Sequence, residues 1–188
     1  MDDLIVAAIR KRLRTKMTDL RGPSHTLKPG NPAEIANDET RLGYTLPSLM
    51  KRIYIEIGNG GFGPGYGLIG LTNGIPDDTG KTGPAIYEQF RKGSPDEPNW
   101  KWPDGLLPIC HWGCAILSCV DCVDSNFRMR IFDPNVHGGN DWADAFFEES
   151  ADFETWIKAW ASGVDLWGLM YGERGHVAKI LSARRRMN

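Results

Sequence analysis

The chain has 188 residues, 41% hydrophobic and 24% charged, the make-up of one globular domain that can build a core without metal or disulfide staples. A formal charge of −2 argues against nucleic acid as the main partner, because phosphate contacts need a basic surface. No apolar run approaches the roughly 18 residues of a membrane span, and Met1-Asp2-Asp3 precedes the apolar run over 4–9 while Arg10 to Arg14 follow it. A secretory signal has the opposite charge order, so a cytoplasmic address is expected.

The first predicted helix runs from Asp2 to about Met17, with Leu4, Ala8 and Leu13 among its apolar positions. Gly22-Pro23 and Pro29-Gly30 punctuate a linker over 21–31. Asn31-Pro32-Ala33-Glu34 then reads as a helix start, with Asn as N-cap, Pro first in the helix and Glu closing a capping box. This helix ends at Gly43, a left-handed C-cap. The next opens at Leu46-Pro47 and carries Met50, Ile53, Tyr54 and Ile57 at helical spacing. A short strand is predicted over 66–71, a turn-rich stretch over 73–83, a helix over 84–91, and an irregular segment over 93–105 with Pro95, Pro98, Pro103, Trp100 and Trp102. Strands follow over 106–109, 115–121 and 128–132, the last two joined by a turn at Asp124-Ser125-Asn126. A loop over 135–140 and a last strand over 143–147 complete the sheet. Asp152 caps a helix carrying Phe153, Trp156, Ile157 and Trp160, which ends at Gly163. A short helix over 166–171 precedes a basic end, Arg184 to Arg186, expected to fray. Helices flanking hairpin-connected strands make an α+β fold: a single domain with a mainly antiparallel, twisted sheet.

Gly58-x-Gly60-x-x-Gly63 has the letters of a dinucleotide fingerprint, but that fingerprint needs a strand before it and a helix after it. Here the helix comes first, so no helix N-terminus faces the glycines to hold a phosphate. Gly80-Lys81-Thr82 lacks the earlier glycine of a P-loop, since Ile75 stands at that position. Cys110, Cys114, Cys119 and Cys122 crowd into a short span with His111 inside it. Zinc prefers two close pairs separated by a longer span. Alternate residues of a strand face opposite ways, so Cys119 and Cys122 need a bend to converge. Small buried thiols are the simpler reading, with a zinc site or a thiol enzyme centred on 110–122 as the rival.

A nearly neutral total hides a basic end and an acidic middle. Arg10, Lys11, Arg12, Arg14, Lys16 and Arg21 load the start, whereas no Lys or Arg falls between Ile131 and Ile157, where Asp133, Asp141, Asp144, Glu148, Glu149, Asp152 and Glu154 occur. Such a field steers a basic partner. Trp112, Trp156 and Trp160 sit at core-like positions. Trp100, Trp102 and Trp142 lie in loop-like stretches beside acidic residues, where they either anchor an interface or pin loops onto the core.

The helix opening at Leu46-Pro47, the loop Asn59-Gly60-Gly61-Phe62-Gly63-Pro64-Gly65-Tyr66-Gly67, the strand after Trp112-Gly113-Cys114, and the helix with Trp156 and Trp160 closely resemble the signature of the SUKH superfamily. The likeness is to its Smi/Knr cell-wall-assembly-regulator-like branch. Pro47, Gly60, Gly61, Phe62, Gly63, Trp112, Trp156 and Trp160 carry it, across about 31–171, with a basic helix and linker over 1–30 before it and an extension over 172–188 after it. The resemblance implies a non-enzymatic α+β domain without cofactor or metal. Bacterial members are implied to be immunity proteins that occlude a toxin domain, a basic nuclease being one such class; fungal relatives regulate cell-wall assembly, so a regulatory scaffold with a cellular partner is the alternative. The charge pattern selects Asp121, Asp124, Asp133, Asp141 and Asp144 as the partner-binding surface, with Trp100, Trp102 and Trp142 as anchors.

Overall fold

Four strands whose residues are buried almost without alternation need cover on both faces, and helices supply it. The strands are β1 (Leu106–Gly113), β2 (Ile116–Asp121), β3 (Met129–Phe132) and β4 (Phe146–Ser150), all antiparallel in the order β1-β2-β3-β4. They form one α+β domain in a computed structural model that describes residues 2–20, 26–93, 97, 99–139 and 141–187. Arg21, Gly22-Pro23, Pro95, Pro98 and Asn140, invoked above for the basic start, the linker, the irregular segment and a loop, lie outside the described residues.

Helix α1 (Asp2–Leu13) is shorter than its periodicity suggests: Thr15 Oγ1 bonds back to Arg12 O at 2.9 Å, and Thr18 pairs with Gly63 instead. It buries Ile5, Val6 and Ile9, while Leu4 faces outward. Helix α2 (Pro32–Leu42) starts where predicted, with Asn31 Oδ1 accepting from Ala33 N at 2.9 Å, and stops at Gly43 at φ +81°. The capping box does not close, because Glu34 accepts from Asn73 Nδ2 at 2.8 Å. Helix α3 (Ser48–Glu56) buries Leu49, Met50, Ile53 and Tyr54, and the Tyr54 hydroxyl donates to Ile69 O at 2.7 Å. That bond ties the helix to the glycine loop.

The loop consumes its own donors. Gly61 N bonds Leu68 O, Gly63 N bonds Met17 O, Leu68 N bonds Phe62 O, and the buried Asn59 amide bridges Leu71 N and Thr72 O. The Gly60, Gly61 and Gly63 N–H groups, which a phosphate would need, are therefore already occupied. The predicted strand over 66–71 is reduced to a single bridge, Leu68 with Cys110, plus Ile69 N to Ile109 O at 2.7 Å. Positive φ at Gly63, Gly65 and Gly67 breaks the pleat on one side, and a register shift between Pro108 and Cys110 breaks it on the other.

Strand parity sorts the core into two layers. Ser118, Ile131 and Phe147 pair across one face, toward α5 (Phe153–Ala161), whose Trp156 and Trp160 are buried and against which α1 packs. Leu117, Phe132 and Phe146 pair across the other, under α4 (Gly83–Arg91) and the segment over 99–105. Cys114 and Ala115, at φ +50° and +60°, form the two-residue turn of the β1–β2 hairpin, so Ala115 belongs to a turn rather than to the predicted strand. The predicted strand over 143–147 shifts to Phe146–Ser150, because Asp141 caps a 3-10 turn (Trp142–Ala145) by accepting from Ala143 N at 2.9 Å. After α6 (Leu166–Tyr171), the basic end is a helix rather than a frayed tail: α7 (His176–Met187) buries Val177. His176 Nε2 donates to Glu148 O. Arg184 Nη1 donates to Asp144 O at 2.8 Å, and its guanidinium lies over the Phe147 ring. Both α1 and α7 thus share the core of the segment between them. Among the described residues no helix is long and apolar enough to cross a membrane.

Candidate binding surface

The hairpin topology decides which predicted site residues meet. Asp121 and Asp124 lie where β2 turns into β3, whereas Asp133, Asp141 and Asp144 lie where β3 leaves for β4. These are opposite ends of the sheet, separated by β2 and hence by about 17 Å. The five aspartates do not form one surface. Each also has local work. Asp121 accepts from Val123 N and Asp124 N in its turn; Asp124 pairs with Arg128 Nε at 3.0 Å. Asp133 is 3% exposed, bound by the Tyr171 hydroxyl at 2.8 Å and by Asn135 N at 3.0 Å, so it belongs to the interior. Asp144 is pushed up by burial, but the His137 and Gly138 N–H hydrogen bonds and the His137 and Arg184 charges outweigh this and hold its carboxyl below the ordinary range.

Of the three expected anchors, Trp102 and Trp142 are buried and Trp100 is half-buried. Trp102 is 1% exposed, with its ring 5.0 Å from Phe132 and its Nε1 donating to Leu106 O at 2.8 Å. Trp142 is buried under His137, ring centroids 4.0 Å apart, and the half-buried Trp100 meets it edge-on at 4.7 Å. These rings fill the layer between α4 and the sheet, because a Pro- and Gly-interrupted segment has no regular face of its own and needs large apolar side chains to hold it down.

An acidic groove emerges instead at the β2–β3 turn end. Asp2, Asp152 and Glu154 line it together with Pro47, Leu49, Asn126, Phe127 and Phe153, around a volume of about 610 Å³. Helices α1, α3 and α5 all begin here. Asp152 caps α5 by accepting from Thr155 N at 2.6 Å; Asp2 and Glu154 fall in first turns, where carboxylates complement the positive helix ends. Among the described residues that line the groove there is no Lys or Arg. A local signal existed in Asp152 and Glu154 at a helix start; their convergence with Asp2 depends on tertiary packing of α1 on α5.

The thiols divide. Cys110, Cys119 and Cys122 are buried, and burial pushes all three well above the ordinary thiol value; Cys114 stands exposed at the hairpin turn. Cys110 Sγ bonds Pro64 O at 3.2 Å, while the adjacent His111 stacks on Tyr66 at 5.0 Å and lies 3.8 Å from Asp78. Consecutive strand residues face opposite ways, so this thiol and imidazole do not form a dyad. Among the described residues no three His, Cys, Asp or Glu side chains are grouped to hold a metal ion.

Glu149, one member of the acidic stretch along the chain, has its carboxyl turned into the interior. Glu149 Oε1 accepts from Ser118 Oγ at 2.9 Å and Trp156 Nε1 at 2.7 Å, and Ser118 Oγ also accepts from Trp112 Nε1 at 2.8 Å. Glu149 is only partly enclosed as a residue, yet its Oε2 is sealed from solvent without a partner. Burial pushes this carboxyl up to about 7, against the lowering by the Trp156 and Ser118 bonds. The folded state thus holds a proton that the unfolded chain releases near 4.5. Its stabilising contribution is full below pH 4.5, declines as pH rises toward 7, and is lost above it, a span of about 3 kcal/mol. Glu149→Gln mimics the protonated acid. Urea unfolding at pH 4.5 should find the two proteins alike, and at pH 8 the variant more stable; an unchanged gap across that range would show the carboxyl is not held protonated.

The arrangement is that of an α+β domain whose glycine loop is spent on scaffolding, whose interior thiols are sealed, and which carries an acidic groove where three helices begin. The chain belongs to the SMI1/KNR4 family (SUKH-1), which it matches over residues 29–159, well over half its length. The Pro47 helix start, the glycine loop and α5 as far as Ala159 fall inside that match, which stops one residue before Trp160. Among curated proteins none matches the chain.

Proposed function

We propose that this protein is a stoichiometric binding protein that neutralises a cognate bacterial toxin domain by covering it, and that it catalyses no reaction. Membership of the SUKH group supports an immunity or regulatory role. The observation that carries the finer reading is the groove at the starts of α1, α3 and α5, walled by Asp2, Asp152 and Glu154 and floored by Leu49, Phe127 and Phe153. A basic, substrate-facing side of a toxin, such as a nuclease, matches that lining in charge, and the aliphatic stems of its Lys and Arg side chains match the floor. Asp124, paired with Arg128, is not among the residues lining the groove, and Asp141 and Asp144, at the far end, are outside this contact.

The test is calorimetric titration against the toxin domain encoded beside the gene, with Asp2→Lys, Glu154→Lys and the pair. Asp152 is spared because it caps α5. Each reversal should weaken affinity about tenfold at low salt and less at 0.5 M. Binding that is intact in the double variant removes the groove from the interface. No binding by the parent protein removes the toxin reading and leaves a regulatory scaffold with a cellular partner.

A further inference from the structure

Glu149 stands at the corner where β4 leads into α5. The β3–β4 register shifts there: Arg130 pairs with Glu148 and Met129 with Ser150, so Glu149 has no residue of β3 opposite it. A bulge of this kind re-aims a side chain, here into the interior between β2 and α5. Oε1 accepts from Ser118 of β2 and Trp156 of α5, and Ser118 accepts from Trp112 of β1, so one carboxyl joins three elements to β4. Oε2 is sealed and has no partner. Among the described residues no cation pairs with this carboxyl. A buried, unpaired carboxylate is costly, so loss of the proton favours any rearrangement that brings water to Oε2.

The segment that adjoins it is the wall of the acidic groove. Residues 151–155 line that groove and begin just beyond Glu149. Trp156 follows them, its ring 6.1 Å from Phe153 on the groove floor, and Phe153 N donates to Phe127 O at 3.0 Å. A shift of Trp156 therefore reaches both floor rings. Other titratable groups surround Glu149. The Cys110 thiol of β1, the Cys119 thiol of β2 and the Tyr171 hydroxyl of α6 lie within electrostatic reach, and burial pushes all three upward, which keeps them neutral around pH 7. Arg12 and Asp19 pair with each other beside Trp160, and Asp133 is bound by Tyr171. Arg130 of β3 lies over Phe146 on the other face, Lys158 of α5 is exposed, and His176 of α7 is bound to Glu148 O.

We propose that Glu149 is a proton-operated switch for the acidic groove. With the proton on, the carboxyl holds Trp156 and the first turn of α5 completes the groove wall. With the proton off, water enters at Oε2, Trp156 is released and that turn loosens. The switch is built into the β4–α5 corner and works whatever the groove binds; its use to tune a toxin's affinity rests on the function proposed above.

Magnetic resonance on the whole protein and on Glu149→Gln, from about pH 5.5 to 8, tests this. In the parent protein the Trp156 indole signal should titrate with a midpoint near 7. Protection factors of the Phe153, Thr155 and Trp156 amides should fall about tenfold or more over the same range, because the open corner binds its proton more weakly than the closed one. Both readouts should stay level in Glu149→Gln. A carbon-13 titration of the Glu149 carboxyl in the parent needs no variant and should share the indole's midpoint. Separate midpoints, a parent without a transition, or a transition that persists in the variant and so belongs to His176 or another group would each overturn the proposal. With the toxin domain encoded beside the gene, affinity should weaken from pH 5.5 to 8 at least threefold more for the parent than for Glu149→Gln. The same pH dependence in both proteins would overturn the switch's hold on the groove. A toxin that binds neither overturns the toxin reading alone, and the spectra still decide the switch.

Discussion

Gly60→Ala should abolish or nearly abolish folding, whereas Gly43→Ala should cost only about 1 kcal/mol. Both residues have positive φ, +86° and +81°, so both substitutions pay for left-handed backbone. They differ in what a Cβ would meet. At Gly43 the space is open; at Gly60 it would come within 2.6 Å of Gly70 N, 2.8 Å of Gly70 Cα and 2.9 Å of Leu68 O. Those atoms are backbone, held by Gly70 N to Ile75 O at 2.6 Å and by Gly61 N to Leu68 O at 2.8 Å, and cannot move singly. The loss should exceed about 4 kcal/mol, a large share of a domain's whole stability. Urea midpoints followed by circular dichroism measure both. Similar midpoints for the two variants would mean that the loop yields, and that it does not brace α3 against β1.

Trp102→Ala should lower stability by about 3–5 kcal/mol without acting on partner affinity in whatever protein remains folded. The ring fills the layer between Phe90, Phe132 and Phe146, with centroids 4.6, 5.0 and 5.3 Å away, and its removal also strips Leu106 O of its indole donor. Trp100→Ala, at a half-buried site on the margin of the same cluster, should cost less. Thermal unfolding separates the two. A loss of binding in folded Trp102→Ala, with stability unchanged, would restore the anchor role that its position in a loop suggested.

That contrast marks how far the sequence was legible. Local chemistry was readable where the partner lies a few residues away. Asn31 before Pro32, Gly43 after Leu42 and Asp152 before Phe153 all fall where capping requires them, and the apolar spacing of α3 and α5 names their buried faces. Long-range geometry was not. Asp121 and Asp144 look like members of one acidic tract along the chain, yet a strand reverses direction between them and sends them to opposite ends of the sheet. Trp102 and Trp142 look exposed because their neighbours are Pro, Gly and Asp. What buries Trp102 is Phe90 of α4 together with Phe132 and Phe146, while Trp142 lies among His137, Trp100 and Phe132. Glu149 becomes distinctive only when Ser118 and Trp156, from two other elements, close around it. The N-terminal cations likewise seemed a free basic end, whereas Arg10 pairs with Glu56 at 3.3 Å and Arg12 with Asp19 at 2.9 Å.

The two outer strands of the sheet carry a last consequence. β1 is flanked by main chain from the glycine loop through Ile69 N to Ile109 O, and β4 is strapped by His176 and Arg184 of α7. An open strand is a template on which another polypeptide can zip, the route to sheet extension and to amyloid-like stacking. With both margins guarded, recognition falls to side chains in grooves. Cutting the chain ahead of α7 would bare β4 and invite self-association, visible as a concentration-dependent rise in sedimentation coefficient.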